Sequence, residues 1–235
     1  MGEGTAPEVV RAQRFELVDA EGRVRIELGM GGQEGQSPGV WLLDEKGQTR
    51  AALIVLPDDS PSLLLNDEKG DPRISLSLLV GTPVLSLYDD KGEPRVVLMG
   101  FPAGRAGLTL FDEKGEGRAQ LSLDSDGRPD LTIRDDKGKR RVVVGLEPDG
   151  RPGLGIYDEK GQGRAALSLD SERRPGLGLF DDKGEPRAVL SLATDGSPYL
   201  SLADDKGKLR ATLSVLLDSG IELRDEKGHT IWRAP

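Results

Sequence analysis

A chain of 235 residues with 36% hydrophobic and only 4% aromatic residues lacks the material for a thick, irregular, enzyme-like interior. Its net charge of -9 arises from 41 acidic and 32 basic residues interleaved along the chain, which argues against a nucleic-acid partner. With no cysteine it forms no disulfide, thiol nucleophile or zinc-thiolate centre, and it has no apolar run of about 18 residues, so no membrane insertion is expected.

Residues 1–13 read as a polar N-terminal tail, MGEGTAPEVVRAQ, without the basic start and apolar stretch of a signal peptide. As given, the chain is therefore expected in the cytoplasm or in a virion or similar assembly. From 14 to 235 it reads as a single array. An acidic turn closed by glycine begins at Asp19, Asp44, Asp67, Asp89, Asp112, Asp135, Asp158, Asp181, Asp204 and Asp225, with a spacing of 23 residues from Asp89 through Asp204. Units at such a fixed period cannot bury an apolar face alone and lean on their neighbours.

The first connection between units, Gly29 to Gly39, is lengthened and leads into Trp41. A second irregular connection, Met99 to Gly104, carries Phe101 and Pro102. The most regular copy is Leu177 to Pro198, LGLFDDKGEPRAVLSLATDGSP, and its apolar residues recur with a period of two, which means strands with one wet face. A four-residue loop at Asp181 to Gly184 is favoured because it keeps the leucines of both flanking strands on one face, whereas a three-residue loop would send them to opposite faces. A five-residue loop, Thr194 to Pro198, does the same at the second connection. The last copy holds the only histidine, His229, in a solvated turn, and then Trp232. Trp41 and Trp232 are expected to seal the ends of the leucine-lined stack.

The predicted fold is all-β: ten tandem antiparallel β-hairpin repeats of about 23 residues, about 20 short strands, in one continuous meandering sheet, elongated or curled. At about 4.8 Å per strand such a meander is roughly 95 Å wide. A flat sheet with a bare leucine face would be an aggregation surface, so the sheet must curl, fold over or pack against copies of itself.

Arginine follows the first Asp of the turn by six residues in nine copies, among them Arg95, Arg118, Arg141, Arg164 and Arg187. These are expected opposite the leucines, packed on rings such as Tyr88, Phe111, Tyr157 and Phe180 or paired with acids of the next repeat. The acidic turns match no calcium loop, and Asp58, Asp59, Asp124 and Asp126 come nearest to cation ligands. No metal, cofactor or catalytic residue is assigned, since a single peripheral His and acid pairs repeated in every unit define no unique centre.

The segment YDEKGQGR at Tyr157 to Arg164 resembles the YD repeats of Rhs-type toxins and teneurins, which implies hairpins of a long spiralling sheet. The alternation of short strands with Gly/Pro turns is similar, more loosely, to the shafts of trimeric viral fibres. The pattern also resembles uncharacterised bacterial DxxGxxRAxLxL repeat proteins, a likeness that implies no activity. The expected function is non-catalytic and structural: a shaft, spacer or filament subunit, self-associated as a trimer or filament through the leucine face. The alternative is a binding module that presents turn or arginine rows to a polymeric or protein partner. Candidate partner contacts are Trp41, Trp232, Phe101, Arg95, Arg118, Arg141, Arg164 and Arg187.

Overall fold

The structure, a computed structural model, describes residues 9, 11–31, 37–101, 105–215 and 220–234. Most of the polar tail, the middle of the Gly29 to Gly39 connection and Pro102 lie outside the described residues. The chain divides into two compact units, Met1–Pro102 and Ala103–Pro235. The first holds β1 (Arg14–Val18), β2 (Val24–Gly31), β3 (Ser37–Leu43), β4 (Thr49–Val55), β5 (Pro61–Asn66), β6 (Pro72–Leu79), β7 (Thr82–Tyr88) and β8 (Pro94–Gly100). The second holds β9 (Ala106–Phe111), β10 (Gly117–Leu123), β11 (Pro129–Arg134), β12 (Arg140–Leu146), β13 (Pro152–Tyr157), β14 (Gly163–Leu169), β15 (Pro175–Phe180), β16 (Pro186–Leu192), β17 (Pro198–Ala203), β18 (Leu209–Ser214), β19 (Gly220–Arg224) and β20 (Thr230–Ala234). Within each unit every strand pairs antiparallel with its neighbours in sequence, and the sheet stays open.

The loops are shorter than their spacing predicts. At the acidic turn between β15 and β16 the Asp181 amide donates to the Glu185 carbonyl (3.0 Å) and the Gly184 amide to the Asp181 carbonyl (3.2 Å), which leaves a three-residue loop. Gly184 takes φ 81°, a left-handed conformation that favours glycine. Taken alone, such a loop would turn the leucines of β16 away from those of β15. A β-bulge prevents this: Phe180 faces Pro186, but Leu179 faces Ala188, so Arg187 is the extra residue. The leucines therefore do share a face, in a register two residues away from the expected one, with Leu177 opposite Leu190. The same shift recurs beside the turns that follow β11, β13, β17 and β19. The second connection also has three loop residues instead of five: Ala193 N–H donates to the Ser197 carbonyl at 2.8 Å, and Leu190 faces Leu200. Loops of three and five residues have the same parity, so there the face is preserved without a bulge.

The two faces differ sharply. In the second unit the successive cross-strand positions of one face are all apolar, from Leu108 and Leu121 through Leu167, Leu177, Leu190 and Leu200 to Leu223 and Trp232. The same holds in the first unit from Phe15 and Leu28 to Leu85 and Leu98. Yet this face holds most of the exposed large side chains: Leu53 is 56% exposed, Leu121 52% and Leu190 50%, while Leu85, Leu108 and Leu200 are half-buried. The shielded side chains lie on the opposite face, where Ala52, Ser62, Ser77, Ser86 and Val84 are buried in the first unit and Thr132 in the second. The buried hydroxyls of Ser62 and Ser77 satisfy each other at 2.8 Å.

Glycines on this smaller face hold rings from their own strand. A Cβ on Gly178 would come within 2.8 Å of the Phe180 ring, and one on Gly155 within 2.8 Å of the Tyr157 hydroxyl. Gly155→Val is therefore expected to unseat the Tyr157 ring and lower the unfolding midpoint. Gly163→Ala, whose Cβ meets nothing within 4 Å, is expected to leave it unchanged. Near-UV circular dichroism with thermal melts checks the pair.

Candidate functional site

The repeated polar feature is a clip built at each acidic turn. Asp181 Oδ1 accepts the backbone N–H groups of Lys183 (2.8 Å) and Glu185 (2.9 Å), which fixes the loop. Its Oδ2 accepts from the guanidinium of Arg187, the bulged residue. The bulge thus re-aims Arg187 onto the carboxylate six residues before it, and the same pairing recurs in other hairpins. Arg73 meets Asp67 at 2.6 Å, Arg164 meets Asp158 at 2.9 Å and Arg141 meets Asp135 at 3.3 Å; Arg95 pairs with Asp89 and Arg118 with Asp112. The acid is the turn's own Asp, not one from the next repeat as expected, because the bulge points the side chain back at its own loop.

Several of these arginines also reach the neighbouring hairpin. Arg141 Nε donates to the Tyr157 carbonyl (2.9 Å), Arg187 Nη2 to the Asp205 carbonyl (3.0 Å), and Arg118 to the Asp135 carbonyl. Each such arginine ties its own turn to the backbone of the next, a charge-assisted staple between repeats. Arg187 and Asp181 are only 21% and 17% exposed, so this pair is better shielded from solvent than an ordinary surface ion pair.

The carboxylates respond accordingly. Partial burial pushes Asp89 and Asp181 up, but backbone N–H donors and the facing arginine outweigh it and bring each down to about 2. At Asp112 and Asp158 the leading cause is the backbone donor itself, Glu116 or Gln162, and the direction is again down. A carboxylate held below its unfolded value adds stability above that value and loses it as the pH falls through the folded one. The turns should therefore hold unchanged down to the ordinary Asp value of 3.8 and loosen between there and about 2. A circular-dichroism titration with its midpoint above pH 5 would contradict this.

The remaining candidates separate. Trp41 lies opposite Ala52 on the smaller face, half-buried, with its ring against Gly31 and Gly39, and so does not sit on the leucine face. Trp232 does: it pairs with Leu223 and is 48% exposed. Phe101 follows β8 and is 38% exposed. Asp124 serves a second-type turn, taking the amide of Asp126 at 2.8 Å and the side chain of Arg128 at 2.8 Å. His229 closes the last acidic turn against Asp225 at 3.2 Å. The bulge and the ring-filled glycines escaped sequence reasoning; the constant six-residue step from Asp to Arg was their visible trace.

No family model and no curated protein matches the chain. Among solved structures it is similar to a point mutant of the TCP10 domain of Danio rerio CPAP, with 15% identity, 84% of this chain and 94% of that one covered, and a TM-score of 0.30. It is also similar to the SAS-4 (dCPAP) TCP domain of Drosophila melanogaster, solved with a proline-rich motif of Ana2, with 10% identity, 80% and 96% covered, and a TM-score of 0.34. The Photorhabdus luminescens Tc holotoxin pore is matched at 12% identity over 94% of this chain and 13% of that one, with a TM-score of 0.20. No family match supports the resemblance to YD repeats.

Proposed function

We propose that the chain is a non-catalytic structural repeat protein, a shaft or spacer, that self-associates through its leucine face. The observation that carries this is the contrast between the faces: one face is apolar at every cross-strand position, and Leu167, Leu177, Leu179, Leu190 and Leu202 on it are exposed. A continuous apolar patch on this scale marks an interaction surface. The alternative, a binding module using the arginine row, has less support because Arg95, Arg118, Arg141, Arg164 and Arg187 all engage turn carboxylates.

Sedimentation at low and high salt, with and without polyphosphate, separates the two. Apolar association persists or strengthens at about 1 M salt, where exposed charges are screened beyond about 3 Å. Polyphosphate binding that vanishes steeply with salt, by a chain that sediments as a monomer throughout, would favour the binding module.

A further inference from the structure

Resting on that reading, we propose that the partner is a second copy presenting the same leucine face, so that two chains close into a face-to-face pair and do not stack into an open filament. The relief of this face in the second unit is self-complementary. From β14 to β19, along the row nearest the acidic turns, strands before a turn carry leucine and strands after it carry alanine, in the cross-strand order Ala165, Leu179, Ala188, Leu202, Ala211, Leu223, while Val142 on β12 and Trp232 on β20 stand in the alanine place. Leucine ridges thus alternate with alanine troughs at a period of two strands, about 9.6 Å. A facing copy displaced by one strand sets its ridges into these troughs. Farther from the turns, a hollow of 270 Å³ opens between Leu167, Leu177, Leu190, Leu192, Pro175 and Pro198. It can receive an apolar side chain from the opposite sheet, the interdigitation by which two sheets about 10 Å apart build a core.

The other face does not fit these leucines. Its glycine gaps are filled by Tyr157 and Phe180, and Asp130, Glu222 and Arg233 occupy its cross-strand positions. Leucines laid on it would bury those charges away from water, at a cost that no partner group offsets. A contact between like faces is isologous and closes at two copies, whereas unlike faces would propagate.

The available area suffices. Leu110, Leu121, Leu167, Leu190 and Leu213 expose 44–52%. A fully buried leucine corresponds to roughly 60–120 Å² at about 25 cal/mol per Å², so each half-exposed one still offers about 30–60 Å². Roughly fifteen such residues in the second unit give about 500–900 Å² per copy, against about 800 Å² per partner in a standard stable interface.

Because the chain has no cysteine, single thiols can report each face. Leu190→Cys and Ser191→Cys are adjacent but point to opposite faces, and Leu213→Cys repeats the leucine-face probe should the first variant perturb assembly. Each full-length variant is alkylated with iodoacetamide while its mass is followed by light scattering. The expected result is a mass of two chains, with the leucine-face thiols slowed about tenfold or more relative to Ser191→Cys. Slowing of both faces, or a mass above two chains, overturns the closed pair and leaves self-association standing. A single-chain mass with every thiol fast overturns both.

Discussion

Leu167→Glu combined with Leu190→Glu is expected to convert the proposed face-to-face assembly into folded monomers. In the isolated chain both side chains are 50% exposed, so a carboxylate at either place reaches water at little cost to the sheet. Against a facing leucine surface each carboxylate loses its hydration without gaining a partner, and two copies bring four of them into one interface. Each half-exposed leucine forfeits about 0.75–1.5 kcal/mol of further burial, four of them across the two copies, and desolvation adds to it. The dissociation constant should rise by about 10⁴-fold or more, on the order of 5.5 kcal/mol. Sedimentation equilibrium with far-ultraviolet circular dichroism reads both halves of this outcome. Ser191→Glu, on the opposite face, is the control expected to keep the assembled mass. If the double variant stays assembled, some other surface holds the copies together.

The second large effect is on folding of the array. Asp158→Ala combined with Asp181→Ala removes, at two adjacent acidic turns, the acceptor for the amides of Lys160, Gln162, Lys183 and Glu185, as well as the partners of Arg164 and Arg187. The arginines are then left part-buried without their carboxylates. In a repeat array the cost spreads to the neighbouring hairpins, because Arg187 also holds the Asp205 carbonyl. The midpoint of thermal unfolding should fall by several degrees, with increased hydrogen exchange in β13 through β16. The corresponding Asp→Asn pair keeps an oxygen for the backbone donors and loses only the charge, so it should fall between wild type and the alanine pair. An asparagine pair that melts like wild type would mean the charged half of the clip does nothing, and equal melts for the alanine and asparagine pairs would mean the same of the half that accepts the backbone donors.

Period-two leucines such as Leu177, Leu179, Leu190 and Leu192 make the hairpins, their antiparallel order and the shared apolar face legible in the sequence. Loop length was not legible in the same way. Parity cannot tell a three-residue loop from a five-residue one, and a bulge at Arg187 cancels the inversion that a three-residue acidic turn would cause. Which face is shielded within one chain was not legible: the leucine pattern marks a face that needs a cover, yet Leu190 is 50% exposed while small Ser62 and Ala52 on the opposite face are buried. Trp41 could have been placed correctly, since it falls between Val40 and Leu42 and so out of phase with the leucines; Trp232 is in phase with Leu223.

Absolute mass by light scattering, with small-angle X-ray scattering on the same peak, tests most directly whether the leucine face is covered by another copy. The expected result is a discrete species of more than one 25.2 kDa chain, with two as the predicted number. A stable 25.2 kDa monomer at tens of micromolar, with that face in water, would contradict self-association.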